Sequence, residues 1–100
     1  MTAYLVLMQQ VDDVDRYRNE YVPGVIPFLK KHGGEVVVGG FEAAAAEGEP
    51  PNSTVVLRFA DAGAAWEFLD DPGYQPVREL RFSITSRGQA VIVPEFTPSR

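Results

Sequence analysis

The single histidine of the chain, His32, is the side chain best suited to moving a proton near neutral pH. It stands in the stretch FLKKHGGEVVVGG, residues 28–40, directly before two glycines. There it could exchange a proton with a bound ligand. The same position also suits a structural role, because the helix dipole stabilises an imidazolium near a helix C-terminus by about 0.3–1 kcal/mol. Ending a helix is the preferred interpretation, and general-base catalysis is the alternative.

Aromatic and cationic side chains are the other candidates for ligand contact. We predict that they line a cleft between a sheet and two helices, and they are Tyr17, Tyr21, Arg58, Trp66, Tyr74 and Arg81. The aromatic residues would shape the pocket, and an arginine would stabilise an oxyanion. Structural roles remain open for all of them. The aromatic residues also suit a core, Arg58 could pair with a carboxylate across a subunit interface, and Arg81 could lie in solvent or bond a helix carbonyl.

The composition narrows the chemistry that can be expected. The chain has no cysteine, so we predict no disulfide, no thiolate nucleophile and no cysteine-based zinc site. With one histidine we expect no metal, and a lone axial haem ligand is the weakest alternative. The patterns GxSxG, GxGxxG and GxxxxGK do not occur. We therefore expect neither a serine-hydrolase elbow nor a nucleotide cofactor.

Charge and hydropathy indicate the partners and the compartment. The formal charge is −5, and the nine Lys and Arg residues are scattered, which argues against nucleic acid as a partner. No apolar run approaches the roughly 20 residues that a membrane span requires. The opening stretch MTAYLVLMQQV has no basic region of the kind that begins a secretory signal. The expectation is a cytoplasmic protein without a membrane partner.

Hydrophobic periodicity predicts the order β-α-β-β-α-β, the ferredoxin-like arrangement of an α+β protein. The first helix follows from apolar residues spaced three or four apart from Val14 to His32, with a kink or restart near Pro23. The predicted segments are a strand at 3–9, a helix at 14–32, strands at 35–43 and 54–60, a helix at 61–69, a helical segment at 74–82 and a strand at 89–95. Residues 1–95 form one domain, and 96–100 form a tail.

The strands predict an assembly as well as a fold. A half-exposed antiparallel sheet normally alternates apolar and polar residues. Here the runs at 36–38, 55–57 and 91–93 are apolar on both faces. A second copy of the chain is the simplest cover for the second face, and two such sheets would bury about 2,000 Å² or more. The sequence therefore predicts a homodimer.

Three stretches resemble the domain-of-unknown-function family 1330 of the dimeric α/β-barrel superfamily. They are AYLVLMQQVDDVDRYRNEYV, FLKKHGGEVVVGG and VVLRFADAGAAWEFLDDPGYQPVRELR, and the likeness extends over about residues 1–95. This resemblance implies a ferredoxin-like fold in which two subunits form a dimeric α/β barrel. It implies no established reaction. The wider superfamily includes cofactor-free monooxygenases and lactone isomerases.

Two functions follow from these observations. The first is a homodimeric domain that binds a small molecule in an aromatic cleft between sheet and helices. The alternative is a cofactor-free monooxygenase or isomerase acting on a small cyclic or aromatic substrate. In that alternative His32 moves the proton, and Arg58 or Arg81 stabilises the oxyanion.

Overall fold

The computed structural model describes residues 1–98 and confirms the predicted order of elements. The predicted tail at 96–100 runs past Pro98, so its last two residues lie outside the described part. No helix within residues 1–98 combines the length and the apolar character needed to cross a membrane. The elements are β1 (Ala3–Val11), α1 (Val14–Arg16), a π-helical segment (Tyr17–Tyr21), α2 (Val22–Lys31), β2 (Glu35–Gly40), β3 (Ser53–Phe59), α3 (Ala62–Asp70), α4 (Gln75–Ser83) and β4 (Thr85–Pro94).

The four strands form one antiparallel sheet in the order β2-β3-β1-β4. Strand β4 begins at Thr85, four residues before the predicted start, and β2 ends at Gly40 rather than at residue 43. The first residues of β4 are polar, so the sequence shows no apolar alternation there and the predicted strand begins too late. Backbone pairing with β1 extends the strand instead, and Gly88 makes this possible because a Cβ there would lie 2.5 Å from the Met8 carbonyl oxygen.

One face of the sheet carries the core. Along β1, burial alternates strictly, and the buried residues are Ala3, Leu5, Leu7, Gln9 and Val11. They lie on the same face as Leu57 and Phe59 of β3, which are also buried. The helices cover this face, and Phe68 of α3 and Tyr74 contribute two of its largest side chains.

The opposite face of the sheet is not covered by any described element of the chain. It carries Val6, Val56 and Val91, which are directly paired across β3, β1 and β4. Val91 is 47% exposed, and its neighbour on this face, Val93, is 43% exposed. We call this surface the open face. Its apolar character is the feature from which a homodimer was predicted.

The first helix changes its hydrogen-bonding pattern just before Pro23. Within the π-helical segment, the Val22 N–H donates to the carbonyl of Tyr17, five residues back rather than four. Pro23 has no N–H to donate, so the ordinary pattern cannot simply continue through it. The predicted kink or restart near Pro23 is therefore a local widening of a continuous helix, a feature that is frequent at functional sites.

The HGG motif ends this helix by a Schellman arrangement. The Gly33 N–H donates to the Lys30 carbonyl at 3.3 Å, and the Gly34 N–H donates to the Leu29 carbonyl at 2.8 Å. Gly33 has φ +71°, in the left-handed region. A Cβ at Gly34 would lie 2.9 Å from the Phe59 ring, so the chain passes directly over the core.

Replacing Gly33 by alanine is expected to destabilise the protein by about 1–2 kcal/mol, because an alanine Cβ is strained in the left-handed region. Chemical denaturation would measure the change in the free energy of unfolding. Gly39→Ala is the control, since Gly39 lacks a positive φ and a Cβ there meets only Val36 at 3.4 Å. An equal loss of stability in both variants would contradict the argument.

Candidate functional site

A cleft of about 710 Å³ lies between the first helix and the covered face of the sheet. Strand β2 and the residues that follow it form its outer wall. Its walls are mainly apolar, with side chains from the first helix, the sheet and the β2 edge. Six of the residues that define it are Leu7, Val25, Leu29, Val36, Phe41 and Leu57.

Three tyrosines bring hydroxyl groups to this cleft. The Tyr21 and Tyr74 hydroxyl oxygens lie 2.7 Å apart in a buried hydrogen bond, and both residues line the cleft. The rings of Tyr17 and Tyr21 are 5.0 Å apart, because they lie one turn apart on the π-helical segment. Tyr74 is held from the other side, since its ring stacks against Phe68 at 4.5 Å. The structure thus brings together Tyr17, Tyr21 and Tyr74 from the predicted set.

Tyr17 and Tyr21 are hydrogen-bond donors at neutral pH, because their pKa values are raised. Burial raises the pKa of Tyr17, although the positive charge of Arg81 opposes that rise. Burial also raises the pKa of Tyr21 well above its usual value, and the neighbouring Tyr74 adds to the effect. A buried phenol with a raised pKa stays neutral and can donate a hydrogen bond to an acceptor on a ligand.

A buried polar pair lies beside the tyrosines. Arg81 donates through Nη1 to Oε1 of Gln9 at 2.7 Å, and the two residues are 4% and 3% exposed. Gln9 lines the cleft, and its Nε2 has no hydrogen-bond partner in the described part of the chain. Arg81 is not among the residues that line the cleft, but it contacts one of them through its hydrogen bond to Gln9.

Gln9 and Ser53 are cleft residues that were not predicted from the sequence. Both are polar yet buried, and both lie on the covered face of the sheet, where they pair across β1 and β3. The available signal was the alternation of β1, in which Gln9 occupies the position after Leu5 and Leu7. That signal becomes informative only once the covered face is known.

His32 lies outside the cleft lining, at the end of α2. Its Nε2 is 2.8 Å from Oδ2 of Asp71, and its side chain is 14% exposed. Asp71 also accepts from Lys31 Nζ at 2.9 Å and from the Gly73 N–H at 2.8 Å. The hydrogen bonds from His32, Lys31 and the Gly73 backbone hold the pKa of this carboxyl well below its usual value. These contacts fasten the helix end to the turn between α3 and α4.

Replacing Asp71 by asparagine is expected to lower the melting temperature at neutral pH. A carboxyl whose pKa is depressed on folding stabilises the native state above its unfolded pKa, and this contribution is lost as the pH falls through the folded value. Wild-type stability should therefore fall as the medium becomes more acidic than about pH 4, and Asp71→Asn should flatten that fall. Melting curves between pH 2 and 7 would decide, and parallel profiles would contradict the assignment.

Arg58 and Trp66 also lie away from the cleft lining. Arg58 follows the buried Leu57 in β3, so strand alternation turns it to the open face, where it pairs with Glu35 across β2. Trp66 projects from α3 with 56% of its surface exposed, because the neighbouring Ala65 and Phe68 take the buried positions. Neither Arg58 nor Trp66 is among the described residues that line this cleft.

The remaining chemistry of the site is limited in the residues described. Glu42 is the one carboxylate among the described residues that line the cleft, and it lies at the exposed rim. Across residues 1–98, no three histidine, aspartate or glutamate side chains are grouped so that they could hold a metal ion. The arrangement offers an apolar cleft whose lining includes neutral hydrogen-bond donors.

Solved structures share this fold. The protein of unknown function RPA0582 from Rhodopseudomonas palustris is 14% identical, with a TM-score of 0.79 over 97% of this chain and 84% of that chain. SnoaB, a cofactor-independent oxygenase from Streptomyces nogalater, is 12% identical, with a TM-score of 0.65 over 96% and 93%. A NIPSNAP-like domain protein from Burkholderia xenovorans is 12% identical, with a TM-score of 0.66 over 99% and 89%.

At these identities the likeness shows the fold. No curated protein matches the sequence. A family profile does match, and it spans residues 2–96, which include every strand and helix described above. This chain belongs to the family described as "Domain of unknown function (DUF1330)".

Proposed function

We propose that this protein is a homodimeric domain that binds a small planar aromatic molecule carrying an oxygen atom. One observation carries the proposal: a cleft of about 710 Å³ with apolar walls is lined by tyrosines with buried hydroxyls and by Gln9, whose Nε2 has no partner among residues 1–98. Ligand sites are commonly mostly apolar pockets of roughly 300–1,000 Å³ with a few polar groups that fix orientation.

The polar groups define what part of the ligand they would meet. Tyr17 and Tyr21 stay protonated. In the Tyr21–Tyr74 hydrogen bond one hydroxyl donates to the other, so this pair offers one remaining O–H to an oxygen acceptor, in addition to that of Tyr17. Arg81 donates to the Gln9 carbonyl and orients the amide, and the Gln9 Nε2 is left without a partner in the described part of the chain. A buried donor without a partner costs about 1–3 kcal/mol, so a ligand oxygen that reaches it would be favoured. A hydroxyl, carbonyl or phenolate oxygen meets this requirement.

The homodimer is supported by the open face. Its central residues Val6, Val56 and Val91 are apolar and lie side by side on three strands. A single chain leaves Val91 and Val93 nearly half exposed in this patch. Contiguous apolar surface of this kind marks an interaction site, and a second copy offers an identical, self-complementary face.

A second candidate is cofactor-free oxidation of the bound aromatic molecule by O₂. The buried phenols favour it, because they could stabilise the oxyanion that forms when a phenol-type ligand reacts with oxygen. For 1-naphthol the balanced reaction is 1-naphthol + O₂ → 1,4-naphthoquinone + H₂O. The ring C–H and the hydroxyl O–H are lost, and O₂ is reduced, with one oxygen atom retained in the quinone and the other released as water.

Calorimetric titration of the protein with 1-naphthol tests the binding proposal. We expect saturable binding of one molecule per chain, with naphthalene binding about 3–10-fold more weakly because it lacks the oxygen. Equal binding of both compounds would contradict the role of the polar groups, and absence of binding would contradict the cleft proposal. An oxygen electrode applied to the same mixture separates binding from oxidation, because only the second candidate predicts uptake of O₂ and formation of the quinone.

A further inference from the structure

A second concavity lies between α4 and the start of β4, and both Arg81 and Gln9 line it. Its volume is about 290 Å³, and Gln9 contributes to the walls of both sites. Three arginines line it, and they are Arg78, Arg81 and Arg87. We propose that this arginine pocket binds a small oxyanion such as a phosphate or a carboxylate. The proposal is independent of the function assigned to the aromatic cleft.

The strongest support is the state of Arg81. Its side chain is buried, yet its guanidinium donates to the neutral Gln9 amide, at 2.7 Å. Among residues 1–98, no carboxylate lies within 4.0 Å of Arg81, in contrast to Arg16 and Arg58. Its Nε is buried and also lacks a partner in this part of the chain. A buried charge without an opposite charge beside it is costly, so an anion that reaches Arg81 would be favoured.

Arg78 repeats the pattern beside it. Its Nη1 donates to the Leu69 carbonyl at 3.1 Å, while its Nε is buried without a partner in the described structure. The guanidinium groups of Arg78 and Arg81 lie 5.5 Å and 4.7 Å from the centre of the same Phe82 ring. Both cations are therefore attracted to the same aromatic ring.

The lining explains the class of ligand. No aspartate or glutamate is among the described lining residues, and Thr85, Ser86 and Gln89 add neutral polar groups. Among residues 1–98, Asp12 is the carboxylate bonded to this lining, and it accepts from the Ser86 hydroxyl at 3.0 Å. In a chain of net charge −5, this local excess of positive charge stands out. Guanidinium groups match the geometry of phosphate and carboxylate oxygens, and the small volume suits a small oxyanion.

Titration with inorganic phosphate at pH 7 and constant ionic strength, followed by calorimetry, tests the proposal on the intact protein. We expect saturable binding to the wild type and binding weakened about tenfold or more in Arg87→Gln, which removes an exposed cation of the pocket. Arg16→Gln is the matched control, because Arg16 is an exposed arginine paired with Glu20 outside the pocket, and it should bind phosphate as the wild type does.

A variant of the buried arginine sharpens the test. Arg81→Lys keeps the positive charge but removes the planar guanidinium fork, so it should weaken phosphate binding. Because Arg87 is exposed, weaker phosphate binding by Arg87→Gln would show that the loss of binding does not require unfolding. Wild-type protein that binds no phosphate, or Arg87→Gln that binds it equally well, would overturn the proposal. So would weaker self-association of Arg87→Gln without any phosphate binding, since the anion would then be a carboxylate of a second copy.

Discussion

Replacing Val91 by aspartate is expected to dissociate the proposed homodimer into monomers and to raise its dissociation constant by roughly 10²–10³-fold. In a single chain Val91 is 47% exposed, so a charge at this position should cost an isolated monomer little. In a dimer that covers the open face, the same carboxylate would be buried without a partner, at a cost of several kcal/mol. The substitution should therefore destabilise a dimer much more than a monomer. Native mass spectrometry and analytical ultracentrifugation over a dilution series would measure it.

The control for Val91 is an exposed apolar residue on another surface. Trp66 is 56% exposed on α3, and Trp66→Glu should leave the dimer intact. Val56→Asp lies on the same face as Val91 and should reproduce its effect. Ile92, one residue along β4, faces the helices and packs against the core, so Ile92→Asp should unfold the chain instead. A wild-type protein that is monomeric and folded at micromolar concentration would sink the dimer proposal.

Replacing Val36 by tryptophan is expected to weaken the binding of 1-naphthol by roughly 10–100-fold. Val36 lines the aromatic cleft from β2 and is 62% exposed, so an indole there can be accommodated without disturbing the core. The added ring would occupy space that the ligand needs. A ligand that loses contact with about 60–120 Å² of apolar surface loses about 1.5–3 kcal/mol of binding free energy. Calorimetric titration would measure the change.

The neighbouring residue Val37 supplies the matched control. It is 44% exposed in the same strand, but it is not among the residues that line the cleft. Val37→Trp should therefore bind 1-naphthol as the wild type does, while sharing any effect of a tryptophan on strand stability. If both variants bind 1-naphthol with wild-type affinity, the ligand does not occupy this cleft. Equal weakening in both would point to a general effect on the β2 edge.

Local features were predictable from the sequence because they depend on residues close together in the chain. The end of the first helix is the clearest case. His32 is the C-cap residue of α2, and Gly33 takes the left-handed position that the HGG motif predicted. Asp61 caps α3, since its Oδ1 accepts from the Ala64 N–H at 2.8 Å. The first half of β4 was missed because residues 85–88 carry no apolar alternation and are held by backbone pairing to β1.

By itself the sequence determined the order of strands and helices and the ends set by local capping, because periodicity and capping are local properties. It also determined that Leu57 and Arg58 face opposite sides, since strand alternation requires it. Only the tertiary structure decided which side the helices cover. Because the helices cover that side, Gln9 and Arg81 are buried in contact with each other, and Tyr21 is hydrogen-bonded to Tyr74 from a distant part of the chain. Arg58 lies on the open face. Which side is covered depends on how the helices cross the sheet and on strand register, which arise from contacts between residues far apart in the chain.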